Sequence, residues 1–187
     1  LAIIEEESLR LAAMATNVMN LTKVENQTIL TDLTTFNLSE QIRACVLLLE
    51  EKWSRKELDL DLEFPEYTIR ANEELLKQVW INLLDNAIKY SHEEVKIDII
   101  CESEKGFCKI KVCDNGLGIP LKDQSLIFNR FARSAAVGRS GRGGAAGFGL
   151  GLNYVQQVML AHGGRVEVES EEGCFSEFTL YFPIETV

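Results

Sequence analysis

Two asparagines, Asn82 and Asn86, lie four residues apart in the run Gln78–Ser91, with Lys89 three residues further on. At helical spacing they share one face, one turn apart. Val79, Ile81, Leu83, Leu84, Ala87 and Ile88 fill most of the remaining positions, so a largely buried helix is expected. Amides on such a helix need partners, and a ligand or a metal is one way to supply them. Two carboxamides and an ammonium suit an anionic ligand carrying a hard cation, with phosphate on magnesium the first candidate. A core helix whose amides are satisfied internally fits this stretch equally well.

Two other stretches carry chemistry. Asp114-Asn115-Gly116-Leu117-Gly118-Ile119-Pro120 places a carboxylate beside bare backbone, where it can accept a hydrogen bond from an exocyclic amine such as that of adenine. Asp-Asn-Gly is also ordinary turn chemistry. Gly147-Phe148-Gly149-Leu150-Gly151-Leu152 precedes a helical pattern, and the free amides and positive dipole end of that helix would favour phosphate. Its spacing matches neither the P-loop nor the dinucleotide fingerprint, and a flexible hinge is the plain alternative. No Asp or Glu occurs from Gln124 to Val166, whereas Arg130, Arg133, Arg139, Arg142 and Arg165 all fall there. In a chain of net charge −10, one basic, glycine-rich segment suits a small anion. The same charge disfavours duplex nucleic acid and anionic membrane surfaces as partners.

At 187 residues and 46% hydrophobic content, the elements that must position these groups amount to one domain with an appendage. Ile4, Leu11 and Val18 recur every seven residues, and Met14 and Leu21 occupy the second heptad position, which Glu7 interrupts, so residues 1–27 read as a helix from a bundle. That seam needs partner helices to cover it; a helix folded back on the main domain is the alternative. Ile29–Phe36 reads as a strand, and Asn37-Leu38-Ser39-Glu40 as a capping box opening a helix to about Arg55. Leu58–Phe64 alternates as a strand with one wet face, Tyr67–Arg70 follows as another, and Asn72 caps the asparagine helix. Val95–Cys101 and Phe107–Val112 form a hairpin, a helical turn is expected at Ser125–Phe128, and Ala132–Gly149 reads as a mobile lid. Leu150–His162 is helical, and Val166–Ser170 and Glu177–Phe182 are the closing strands. Helices and hairpins in this order predict an α+β, two-layer α/β sandwich. Cys45, Cys101, Cys108, Cys113 and Cys174 show no metal-ligand spacing and read as reduced thiols of a cytoplasmic protein. No run approaches the ~20 apolar residues a bilayer span needs.

Taken in order, NLLDNAIKYS, DNGLGIP, IFNRFAR and GFGLGLNYVQQVMLAHGG resemble the four nucleotide-binding boxes of sensor histidine kinases. The resemblance covers about Ile29–Pro183 and implies that residues 28–187 are a catalytic, ATP-binding domain of the Bergerat fold, a mixed sheet covered on one face by helices. Residues 1–27, with Asn20-Leu21-Thr22-Lys23-Val24-Glu25, resemble the end of that family's dimerisation and phosphotransfer helix.

The resemblance implies ATP and Mg²⁺ as ligands, with Asn86 on the metal and Asn82 touching the metal or its waters. It implies Lys89 on phosphate, Tyr90 flanking the nucleotide, Asp114 on the adenine amine, and Gly116, Gly118 and Ile119 shaping the base pocket. Phe128 and Phe131 would anchor the lid, Arg130 or Arg133 would neutralise phosphate, and Gly147, Gly149, Leu150, Gly151 and Leu152 would cradle the triphosphate. Thr179 would reach adenine through a water. Hydrolytic relatives carry a general-base glutamate where this chain has Asn82, an amide that takes no proton at neutral pH. Phosphoryl transfer to a histidine is therefore implied, with Asn82 and Lys89 as the groups acting at the reacting end. The alternatives are a degenerate regulatory module and a hydrolytic ATPase. The only histidines, His92 and His162, lack the acceptor's context, so the acceptor is expected on a dimerisation helix outside this chain. The implied partners are those helices in a homodimer and a response-regulator receiver domain. The implied location is the cytoplasmic part of a membrane-anchored sensor, with no direct membrane contact by this segment.

Overall fold

Asn37 ends one strand and starts a helix. Strand β1 (Leu33–Asn37) leads into α1 (Leu38–Leu48), whose Glu40 amide donates to Asn37 Oδ1 at 3.1 Å. Only half of the expected capping box forms: the Glu40 carboxylate accepts from Arg43 at 2.9 Å instead of turning back. The chain then runs α2 (Glu50–Trp53), β2 (Glu57–Asp61), β3 (Thr68–Asn72), α3 (Glu73–Tyr90), β4 (Glu94–Glu104) and β5 (Phe107–Asp114). A short α4 (Leu121–Gln124), α5 (Gly151–Ala161), β6 (Arg165–Glu171) and β7 (Phe175–Pro183) complete it. This computed structural model describes residues 30–54, 56–62, 65–92, 94–104, 106–132 and 149–183, with positions 15, 18, 19 and 22 besides. The expected dimerisation helix at 1–27 lies outside these residues save for those four positions, and the lid expected at Ala132–Gly149 lies outside them except for its two ends.

Five strands form a mixed sheet in the order β2-β4-β5-β7-β6, parallel only between β2 and β4, while β1 and β3 pair antiparallel as a separate ribbon. Along β5, Cys108, Ile110, Val112 and Asp114 are buried while the alternate residues are half-exposed, as a sheet covered on one face requires. Helices α1, α3 and α5 supply that cover through Ile42, Val46, Leu76, Val79, Trp80, Leu83, Val155 and Val158. The two-layer α+β sandwich expected from the sequence is therefore the observed architecture.

Two polar side chains tie the helices together inside this core. Trp80 Nε1 donates to Gln41 Oε1 at 2.9 Å, and Gln41 Nε2 donates to the Glu73 carbonyl at 2.8 Å, locking α1 to the start of α3. The helix predicted to reach Arg55 breaks at Leu49, where φ −97° and ψ 9° leave the α region and α2 begins. The helical turn expected at Ser125–Phe128 falls earlier, at Leu121–Gln124, because Pro120 sits at the helix start, where its missing N–H costs nothing. All five cysteines are free thiols; Cys45, Cys101 and Cys108 are buried, Cys113 is half-exposed and Cys174 is exposed. Among the described residues no helix is long and apolar enough to cross a membrane.

Candidate nucleotide site

Helix α3 is the spine of the candidate site. Asn72 opens it, accepting from the Leu75 amide at 3.0 Å, and Glu73 and Glu74 lie in its first turn, where the helix dipole favours acids. Leu76, Val79, Trp80, Leu83, Leu84, Ala87 and Ile88 are buried. Asn82, Asn86, Lys89 and Tyr90 form a half-buried stripe beside that face, one helical turn apart. Lys89 Nζ lies 5.2 Å from the centre of the Tyr90 ring.

At one end of the stripe, α3 meets the loop after β5. Asp114 is 7% exposed and accepts from the Gly116 amide at 2.9 Å. Burial pushes its carboxyl up to about 7, and the Gly116 amide opposes that only in part. A Cβ on Gly116 would lie 2.6 Å from Asp114 Oδ1 and 2.7 Å from the Tyr90 carbonyl, so nothing larger fits. The Leu117 amide donates to that same Tyr90 carbonyl at 3.0 Å, tying the loop to the helix end. Gly118 has φ +63°, and a Cβ there would lie 1.9 Å from the Glu171 carbonyl. The loop is further tied to β6 through Ile119 N to Ser170 Oγ at 2.8 Å and Gln124 Nε2 to the Ser170 carbonyl at 2.8 Å.

Eight residues back along α3, about 12 Å at the helical rise, Asn82 faces the start of α5. A Cβ on Gly151 would come within 3.4 Å of Asn82 Oδ1. Helix α5 begins with Leu150 at its cap position and no side-chain cap, so its first amides have no intrahelical partners. Asn82 Nδ2 is buried and unpaired, and Gln78 Nε2 reaches Asn82 Oδ1 only at 3.4 Å. Half a turn of the amide would present oxygen at that unpaired position, a donor that a hard cation accepts. Among the described residues no group of three His, Cys, Asp or Glu could hold a metal, so a cation here would depend on amide oxygens and ligand oxygens. The residues present fit magnesium carried in on a phosphate.

The two ends of the segment between α4 and α5 meet. The Phe131 amide donates to the Gly149 carbonyl at 2.9 Å, and Asn153 Nδ2 donates to the Phe128 carbonyl at 2.9 Å. Phe128 is buried, but the Phe131 side chain is 63% exposed with φ +63°. Its backbone, rather than the expected aromatic ring, makes this closure. Arg130 is exposed near the same closure, and Arg133 and Gly147 lie outside the described residues.

Thr179 requires a correction. It pairs with Lys111 on the outer face of the sheet, where its hydroxyl donates to Glu177 Oε1 at 3.3 Å. Asp114 is on the helix-covered face, and its cross-strand neighbour on β7 is Ser176. A period of two puts residues 176 and 179 on opposite faces, so Thr179 does not share the Asp114 pocket. Sequence reading also passed over Asn115, whose side chain extends the β4 ladder by accepting from Lys96 N and donating to the Glu94 carbonyl, both at 2.9 Å. The signal for Asn115 was present, since an Asn after a strand and before a Gly favours side-chain bonding to backbone. The signal for Asn153 was weaker, an Asn in the first turn of a helix.

These elements recur in known proteins. The adaptive-response sensory kinase SasA of Prochlorococcus marinus (strain MIT 9301) is 33% identical over 152 residues, 79% of this chain and 39% of the relative. The catalytic domain of histidine kinase ThkA superposes with TM-score 0.68 at 29% identity, covering 82% of this chain and 96% of that one. ThkA in complex with the response regulator TrrA gives TM-score 0.67 at 25% identity, over 94% of this chain and 48% of that one. The chain spans 37–39% of the length of the curated relatives it matches. Residues 71–186 match the family described as histidine kinase-, DNA gyrase B-, and HSP90-like ATPase. A spine helix with an Asp-and-glycine loop at one end and a glycine-opened helix at the other thus belongs to this ATPase family, and the chain resembles the catalytic domains of its histidine kinases.

Proposed function

We propose that the chain binds MgATP along α3 and donates the γ-phosphoryl group to a histidine on a dimerisation helix of the full-length protein. The carrying observation is the pairing of Asp114 at one end of α3 with Asn82 and the uncapped start of α5 at the other. Their separation along the helix suits the span from an adenine ring to a triphosphate.

In this reading the Asp114 carboxylate accepts from the adenine amine, while Gly116, Gly118 and Ile119 leave room for the ring and Tyr90 flanks it. The α5 amides at Gly151 and Leu152, reached past Gly149 and Leu150, donate to phosphate oxygens. Asn86 and Asn82 would hold Mg²⁺, which when bound neutralises charge on the phosphate oxygens. Lys89 adds a cation near the same oxygens, with Arg130 or Arg133 at the closure beyond. Catalysis of this kind is positioning and charge neutralisation, since the phosphoryl group needs little covalent help. Asn82 also argues for transfer over hydrolysis, because an amide cannot deprotonate a water. The response-regulator complex of ThkA favours a receiver-domain aspartate as the later acceptor here too.

Incubated with γ-labelled ATP and Mg²⁺, this chain should stay unlabelled, while a separately supplied helix pair bearing the acceptor histidine gains label. An Asn86→Asp variant should lose that transfer. Release of phosphate to water by the chain alone, with no labelled helix, would overturn the kinase reading.

A further inference from the structure

Cys101 on β4 and Cys108 on β5 point to the same, helix-covered face of the sheet, 6% and 1% exposed, with their sulfurs 3.4 Å apart. The register pairs Cys101 with Ile110 and Cys108 with Ser103, so the thiols form a diagonal cross-strand pair at the end of the hairpin. Each sulfur has the other as its hydrogen-bond partner. That bond holds the Cys108 thiol below its ordinary value and the Cys101 thiol above it. A disulfide needs about 2.05 Å between sulfurs, so this pair must close by a little over 1 Å. The hairpin end can supply that movement. Strand β2 pairs with β4 only as far as Asp98, so the part of β4 from Ile99 onward lacks a ladder partner on that side among the described residues. The other cysteines are placed elsewhere: Cys45 reaches the Lys77 carbonyl, Cys113 is on the opposite face of β5, and Cys174 is in the exposed turn before β7.

We propose that Cys101 and Cys108 are a reversible dithiol–disulfide pair that staples the turn end of the β4–β5 hairpin when small-molecule disulfides accumulate. The Cys108 thiolate attacks one sulfur of the external disulfide and expels its partner as a thiolate, leaving a mixed disulfide. Cys101 then gives up its proton and attacks the Cys108 sulfur, expelling the second external thiolate. Two protein thiols are oxidised, one external disulfide is reduced to two thiols, and the protons go to the departing thiolates. Fraying of the hairpin end gives the oxidant its access. The pair lies six residues along β5 from Asp114, roughly 20 Å at the strand rise. Oxidation is therefore expected to stiffen the hairpin and leave nucleotide affinity unchanged.

The test uses the whole chain carrying Cys174→Ser, which removes the exposed competing thiol. Native protein is treated with glutathione disulfide, the remaining thiols are alkylated, and peptides are mapped without reduction. The expected product is a Cys101–Cys108 linked peptide lighter by two hydrogens, lost on dithiothreitol treatment, with slower amide exchange at the turn residue Gly106. In a Cys108→Ser variant, of nearly the same size, that linkage should vanish and no other internal disulfide replace it. Free, alkylated Cys101 and Cys108 after native oxidation would overturn the proposal, as would a link that forms only in denaturant. So would a link from Cys101 to Cys113. None of these outcomes bears on whether the chain binds ATP, so the two readings fail separately.

Discussion

A carboxylate buried with a single N–H for company is held close to its point of ionisation, and Asp114 is in that position. Its folded value near 7 exceeds the ordinary 3.8, so the folded state holds this proton more tightly than the unfolded chain. Its contribution to stability is therefore full below about pH 4 and lost as pH rises through about 7. A ligand amine favours the ionised form, so adenine-nucleotide affinity should rise as pH increases from 6 to 8. Titration calorimetry at the two ends of that range should show the rise in the native protein and a flat response in Asp114→Asn. Asp114→Ala should weaken binding about 10–100-fold, the worth of one hydrogen bond to a charged group. Gly116→Ala should do comparable damage without touching the ligand, by driving a methyl into Asp114 Oδ1 and the Tyr90 carbonyl. Residues such as Asp114 and Gly116 were legible in the sequence because their chemistry is local: a carboxylate and a glycine two positions apart. Thr179 was misjudged because the side of a strand a residue faces depends on a register that the strand's own residues do not reveal.

Elements hold these residues through bonds that bridge long stretches of sequence. His162, at the end of α5, donates from Nδ1 to the Val158 carbonyl at 2.7 Å and accepts at Nε2 from the Asn72 amide at 3.2 Å. Both ring nitrogens are committed, so only the neutral ring fits, and burial lowers its proton affinity. A depressed His favours folding above its unfolded value, near 6.5, and that stability is lost as pH falls from there through the folded value. The gap in urea midpoint between the native chain and His162→Gln should therefore shrink from pH 7.5 to pH 5.5. His162→Ala should cost about 1–3 kcal/mol by stranding the Asn72 amide at the head of the spine helix. At the other end of that helix, Lys56 Nζ donates to the Ile88 carbonyl at 2.6 Å and the Ser91 carbonyl at 3.1 Å, a cation where the dipole favours one. Lys56→Met should lower thermal stability by about 1 kcal/mol, read as a drop in melting temperature. The helices themselves were legible through caps and periodicity. The Lys56 bonds and the His162 bond to Asn72 were not, since each joins residues tens of positions apart.

For the molecule as a whole, hydrophobic alternation specified two layers but left the mixed strand order open, because parallel and antiparallel neighbours share one period. Only the fold brings the loop after β5 against the end of α3 and the start of α5 against Asn82. Substituting a large core residue on the spine tests that dependence: Leu83→Ala should destabilise the chain by about 2–5 kcal/mol in urea unfolding. The retained folded fraction should still bind nucleotide, since Leu83 is buried in the core beside the asparagine stripe and is not one of its members.

The central claim is that one nucleotide lies along α3, its base at Asp114 and its phosphates at the start of α5 with magnesium. Amide chemical-shift mapping during ATP titration, with Mg²⁺ and then with a chelator, tests this most directly. The account predicts shifts at Gly116, Leu117 and Gly118 in both conditions. It predicts shifts at Asn82, Asn86, Gly151 and Leu152 that weaken sharply when Mg²⁺ is removed. Shifts confined to the outer face of the sheet around Lys111 and Thr179, or an unchanged pattern on chelation, would contradict it.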